Sequence, residues 1–240
     1  MPKIWTDKPE VHAAFIAREI EQQSARLQSL SNAELTEDVR NALENNRLIT
    51  AGYFGLTVLD LSMARQVHGN KVLYTRIPGM AGDADGLVTD RPGLAVGVLV
   101  ADCAALLFAD PVNKIVAAVH AGWRGATSGI ISEAVREMEK IGAEPDLIHA
   151  YVSPCISLEK FEVGEEVASR FPEKHVDRSR AKPHVDLHGF IFHEILKTGI
   201  PESHIIRDAS CTFRHEKRLH SHRRDGLHSG RMLGVICLAE

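Results

Sequence analysis

The stretch 93–125, GLAVGVLVADCAALLFADPVNKIVAAVHAGWRG, constrains the fold more than any other part of the chain. Its apolar runs at 94–100 and 115–119 are rich in Val and carry no helical stripe, so they read as strands buried on both faces. Each run stops at a polar, reactive side chain, the first at Asp102 and Cys103 and the second at His120. A Gly-Trp-Arg-Gly turn follows, and a helix is expected from about Thr127 to Ile141. If both strands lie in one sheet, Cys103 and His120 meet at its edge, where α/β proteins commonly place chemistry. The pattern fits equally a small buried thiol and a hydrogen-bonded histidine at a strand end.

At 240 residues and 44% hydrophobic content the chain can bury a substantial core. Gly and Pro sit singly at turn positions rather than in linker tracts, so one catalytic domain spanning 1–240 is expected. The net charge of −4 gives no electrostatic reason for a nucleic-acid or anionic-membrane partner. The opening MPKIWTDKPEV has no apolar signal core and no run of eighteen apolar residues occurs, so a soluble, unexported, cytoplasmic protein is expected. Cys103, Cys155, Cys211 and Cys237 form no CxxC pair and read as reduced thiols.

Along the chain, 11–30 is loosely helical, with apolar residues at Val11, Phe15, Ile20 and Leu27. Ser31 to Glu34 has the form of a capping box, and Leu35, Val39, Ala42 and Leu43 share the face of a helix ending near Gly52. LTVLDLSMARQVHG and KVLYTRI suit two strands of a hairpin-like pair with His68 at the bend. GDADGLVTDRPG is a string of turns around a short strand at 86–89; its Asp83 and Asp85 invite a cation, but the downstream Glu of a calcium loop is missing. IHAYVSPCIS, HIIRDAS and MLGVICLA read as strands, EVGEEVASRF as a short helix, and VDLHGFIFHEILKTG as a helix with Leu187, Ile191, Ile195 and Leu196 on one stripe. HEKRLHSHRRDGLHSGR is too polar for the core.

In order along the chain stand QVHG at 66–69, DADGLVT at 83–89, ADC at 101–103, HAGWRG at 120–125, SPCIS at 153–157, and RRDG followed by GRMLGVI. Together these resemble the YfiH-like family, formerly described as polyphenol oxidase or laccase-like and now as purine nucleoside phosphorylases. The resemblance implies an α+β fold, a four-layer αββα domain with mixed sheets similar to the catalytic domain of a bacterial cytotoxic necrotizing factor. It also implies a metal site with His68, Cys103 and His120 as zinc ligands. The first 35 residues are atypical. The family's Thr-Arg-x-Gly-Gly-Val-Ser segment has only a faint echo around Phe15-Ile16-Ala17-Arg18, which leaves Arg18 as a substrate-contact candidate. The family would place a strand and a loop where the residues themselves read as helix.

Two His and one Cys suit Zn²⁺ and leave a fourth position open, as catalytic sites do; Cu²⁺ is the alternative ion. Asp102 either orients a ligand or caps the turn after its strand. Arg223 and Arg224 offer forked cations for phosphate, with Arg124 as a third beside a helix terminus. The resemblance thus implies phosphorolysis of adenosine, inosine or guanosine to base and ribose 1-phosphate, with an adenosine deaminase side activity from water activated at the metal. The partners implied are nucleoside and phosphate, in a monomer or weak homodimer. Three alternatives stay open: a cysteine hydrolase with Cys103 as nucleophile and His120 as base, a copper-dependent polyphenol oxidase, and a non-catalytic interaction protein clipped by its metal.

Overall fold

Between the two Val-rich runs the chain forms a third strand, Ala104–Asp110, that the sequence pattern hides because it lacks β-branched residues and follows the preceding run after three residues. Its alternating side chains enter two different cores. Leu106 and Phe108 face one, Ala105 and Leu107 the other. A strand buried on both faces needs a layer on each side, and that requirement sets the architecture.

The computed structural model describes residues 4–5, 7–17, 37–54 and 59–239. One mixed sheet has five strands in the order β1 (Val11–Ile16), β13 (Met232–Leu238), β6 (Leu94–Val100), β2 (Asp60–Arg65) and β4 (Gly79–Asp83). The second has six, in the order β12 (Ile205–Arg207), β9 (His149–Val152), β7 (Ala104–Asp110), β8 (Ile115–Ala121), β5 (Gly86–Thr89) and β3 (Val72–Tyr74). A small ribbon pairs β10 (Val176–Asp177) with β11 (His184–Val185).

The sheets stack through a core built from Val96, Val98, Met232 and Ile236 on one side and Ala105, Leu107, Val116 and Ala118 on the other. Helix α1 (Glu37–Phe54) covers the outer face of the five-stranded sheet, where Ala51 and Phe54 meet Leu61, Met63 and Val235. On the far side, α3 (Ile130–Glu139) and α5 (Leu187–Lys197) cover the six-stranded sheet, with Ile130, Ala134, Met138, Ile191 and Ile195 against Leu106, Phe108 and Val119. The result is the αββα order expected from the family resemblance. Among the described residues three short α-helices remain: α2 (Trp123–Thr127), α4 (Glu165–Ala168) and α6 (His222–Asp225).

Four expectations change. The strands at 94–100 and 115–121 lie in different, stacked sheets, not side by side. The expected hairpin of β2 and β3 is likewise split, one strand in each sheet, because both need a buried face that a two-stranded ribbon could not supply. Residues 11–16 are a strand, paired antiparallel with β13 from Val11↔Leu238 to Ile16↔Leu233; edge pairing overrides the weak helical stripe. The helix expected from about Thr127 to Ile141 runs instead from Ile130 to Glu139, set off from a short helix that ends at Thr127 by a break where Gly129 takes φ +85°. The rest of the loosely helical reading, the capping box at Ser31 and Arg18 lie outside the described residues.

The sheets are in close contact at a small pair. A Cβ added to Gly234 would lie 2.6 Å from the Ala105 Cβ, so Gly234 cannot accept a side chain without the layers parting. Gly234→Ala is expected to cost about 1–3 kcal/mol of stability through overpacking, read as a lower midpoint in thermal unfolding. An unchanged midpoint would show that the spacing is not set there.

Candidate functional site

Three times the chain crosses from the five-stranded to the six-stranded sheet: from β2 to β3 through Gln66 to Lys71, from β4 to β5 through Ala84-Asp85, and from β6 to β7 through 101–103. The crossings meet at the end of β8. Asp85, fully buried on the β4–β5 crossing, ties the β2–β3 crossing to the end of β8. Its Oδ1 accepts the His68 amide at 2.9 Å and His120 Nδ1–H at 2.8 Å. Its Oδ2 accepts the amides of Gly69 at 2.6 Å and Val67 at 3.3 Å. Its own carbonyl accepts the His120 amide at 2.7 Å.

Burial pushes the Asp85 carboxyl up, but the His120 bond and the Gly69 and His68 amides outweigh it and hold the group below the usual carboxylate range. An ionised carboxylate only accepts, so His120 Nδ1 carries the proton and its Nε2 faces the other way. There His120 meets His68 and Cys103. The donor atoms of the three side chains lie within 4.8 Å of one another, and the two imidazoles stand edge to face with centroids 4.8 Å apart. Burial alone would push the Cys103 thiol up, yet the His120 and His68 imidazoles facing it bring it down to about 6. His120 is raised in turn: burial opposes its charge, and the Cys103 thiolate and Asp85 carboxylate more than restore it. Two imidazoles and a thiolate, one ring oriented by a carboxylate, are a donor set that can hold a transition-metal ion.

Local backbone enforces this convergence. His68 and Asp102 take φ +59° and +82°, left-handed values that cost a non-glycine residue free energy and turn the chain sharply between sheets. Gly122, after β8, leaves room for the thiol: a Cβ there would sit 2.8 Å from Cys103 Sγ. Gly125 does the same for the first crossing, since its Cβ would meet the Gly69 carbonyl oxygen at 2.6 Å.

A cleft of about 420 Å³ opens over the three side chains. Leu99, Trp123, Ile156 and Phe161 give it an apolar wall, and His222, Arg223 and Arg231 supply cationic or titratable groups. Gln66 also lines it, but its amide is committed to Leu99, donating to the carbonyl and accepting from the amide, both at 2.8 Å.

The expected site residues separate. His68, Cys103, His120, Asp102 and Arg223 come together around the cleft. Asp102 accepts from Thr212 Oγ1 and from the Arg223 amide, each at 2.6 Å, so its carboxylate fastens the polar loop to the β6–β7 crossing. Arg224 turns inward: its guanidinium donates to the carbonyls of Thr212, Phe213 and Leu219 and pairs with Asp225. Arg124 is exposed on α2, its guanidinium 4.4 Å from the Trp123 ring centroid, and is not among the cleft-lining side chains. Sequence reasoning weighed Asp85 only as half of a calcium loop and passed over Arg231 and His222. For Asp85 a signal existed: of the two aspartates in DADG, it is the one directly before the buried run 86–89, while Asp83 is half exposed and paired with Arg65. Among the described residues no helix is long and apolar enough to cross a membrane.

Comparison with known proteins places the chain in a family. Residues 12–239 match the family profile described as multi-copper polyphenol oxidoreductase laccase. A purine nucleoside phosphorylase of Deinococcus radiodurans is 35% identical over 207 residues, 85% of this chain and 79% of that one. An adenosine deaminase, RL5, from an unknown prokaryotic organism is 34% identical over 203 residues, 77% of this chain and 78% of its own. The crystal structure of YlmD from Geobacillus stearothermophilus superposes with a TM-score of 0.83 at 25% identity, covering 98% of this chain and 94% of that one. YfiH of Bacillus licheniformis shares the fold with a TM-score of 0.81. The chain belongs to this YfiH-like family, whose profile carries the laccase description.

Proposed function

We propose that the chain is a zinc-dependent purine nucleoside phosphorylase, a single catalytic domain that cleaves adenosine, inosine or guanosine with phosphate and deaminates adenosine as a side activity. The observation that carries this reading is the convergence of His68, Cys103 and His120 beneath a cleft lined by Arg223 and Arg231. Relatives near 35% identity that are named purine nucleoside phosphorylase support it. Zinc held by the three side chains would supply a Lewis acid with one position open to a ligand.

The protein's own groups do the rest. Asp85 keeps His120 Nδ1 protonated, and so keeps Nε2 free as a donor. Trp123, Ile156 and Phe161 offer flat and branched apolar surface to a purine and exclude water from it. Arg223 and Arg231 hold the phosphate. Arg223 Nη1 donates to the Glu162 carbonyl, and Arg231 Nη1 to the carbonyls of Ser229 and Gly230, so both charges are anchored through neutral oxygens and stay available to an anion. Arg224, tied to three carbonyls and Asp225, acts as the anchor of that loop.

A copper polyphenol oxidase is the weaker reading of the same site. Oxidation of phenols by a laccase draws on several copper centres, and among the described residues one cluster of three or more ligating side chains occurs.

Base release from inosine with and without phosphate tests the proposal. Release that requires phosphate, with ribose 1-phosphate as product, is expected; equal rates would mean hydrolysis. Elemental analysis should find one zinc per chain, lost in Cys103→Ala, and chelated protein should regain phosphorolysis with Zn²⁺ and not with Cu²⁺. Asp85→Asn is expected to weaken metal retention by about 10–100-fold, measured by competition with a chromogenic chelator. Arg231→Ala should raise KM for phosphate by roughly tenfold or more, as loss of a charge-assisted contact does, whereas Arg224→Ala should chiefly lower the unfolding temperature.

A further inference from the structure

Breaking a glycosidic bond to a purine leaves an electron pair on the departing base, and a proton delivered to that base lowers the barrier. The titratable side chains lining the cleft are few. His68, Cys103 and His120 turn their donor atoms toward one another. Both oxygens of Asp102 are taken, by Thr212 Oγ1 and the Arg223 amide. Arg223 and Arg231 hold their protons too tightly to pass them on. Among the described residues of the cleft, that leaves His222.

Its backbone is fixed although its ring is exposed. On one side Ser221 caps α6, its Oγ accepting the Arg224 amide at 3.2 Å. On the other, the Arg223 amide is bound to Asp102, beside Cys103. The Arg224 guanidinium, bound to the carbonyls of Thr212, Phe213 and Leu219, holds the whole turn against the preceding loop. A titratable ring on a turn held at three points, next in sequence to one of the two cleft arginines, is positioned as a general acid should be.

Resting on the phosphorylase reading, we propose that His222 is the general acid that protonates the leaving purine. A phosphate oxygen forms its bond to C1′ as the C1′–N9 bond breaks, and the electron pair passes into the purine ring. The proton on a His222 ring nitrogen goes to purine N7. His222 regains a proton from the phosphate ester formed, through water, since its ring faces solvent.

Substrates that differ in their need for that proton test the assignment. In 7-methylinosine the N7 position is blocked and the base is already cationic, so it departs without an acid. His222→Gln should lower kcat/KM for inosine by about 100-fold or more while changing that for 7-methylinosine by no more than about threefold. His222→Phe should behave alike, and unchanged thermal unfolding of both variants would confirm an intact fold. An equal loss on both nucleosides, or a loss on neither, would overturn the role given to His222. Wild-type protein that releases no base from either nucleoside with phosphate would instead sink the phosphorylase reading, and this role with it.

Discussion

The carboxylate of Asp85 is the interaction on which the rest depends. A fully buried anion is costly unless its lone pairs are filled, and here backbone amides and an imidazole fill them. The amides come from the β2–β3 crossing, the imidazole from the end of β8, and Asp85 itself lies on the β4–β5 crossing, so a single side chain sets the bend at His68, the tautomer of His120 and the place where β5 begins. The geometry of the cluster is therefore a property of the sheet stacking and not of one flexible loop.

Sharp crossings carry a conformational cost. Left-handed backbone at His68 and Asp102, and the bare glycine at Gly122, make sense only if the turn brings the side chains where they are needed. The Cys103 thiol, drawn down to about 6 by the opposing imidazoles, shows what the turn achieves: a thiolate ready to act as a ligand at neutral pH. The same turn opens the cleft, whose far wall is built from Ile156 and Phe161 and whose rim is the polar loop fastened by Asp102.

Much of this was legible in the sequence, and the illegible part has physical causes. The Val-rich runs at 94–100 and 115–119 announce buried strands, but periodicity cannot say whether two such strands share a sheet or face each other across a core. Here they face each other. Residues 104–110 were hidden because Ala and Leu, unlike the Val and Ile of the neighbouring runs, suit a helix as readily as a strand, and only three residues part them from the run before. The strand at 11–16 gains its identity from pairing with residues 233–238 at the other end of the chain, a contact no local window contains. The ligating trio was visible through ordered motifs, whereas Asp85 looked like half of a failed calcium loop until its burial was known. Arg223 and Arg224 look interchangeable in sequence, and only the structure separates a guanidinium at the cleft from one spent on carbonyls.

That separation follows from helical phase. Neighbouring residues on α6 point about 100° apart, so the pair cannot both face the cleft, and the hydrogen bonds of the 212–219 loop decide which one does. A single-residue insertion or deletion in that loop would rotate the turn by one position and present a different side chain to the opening. Loop length, as much as residue identity, thus writes the electrostatic character of the entrance, and relatives with longer or shorter versions of this segment can diverge in the anions they admit without any change to the buried trio.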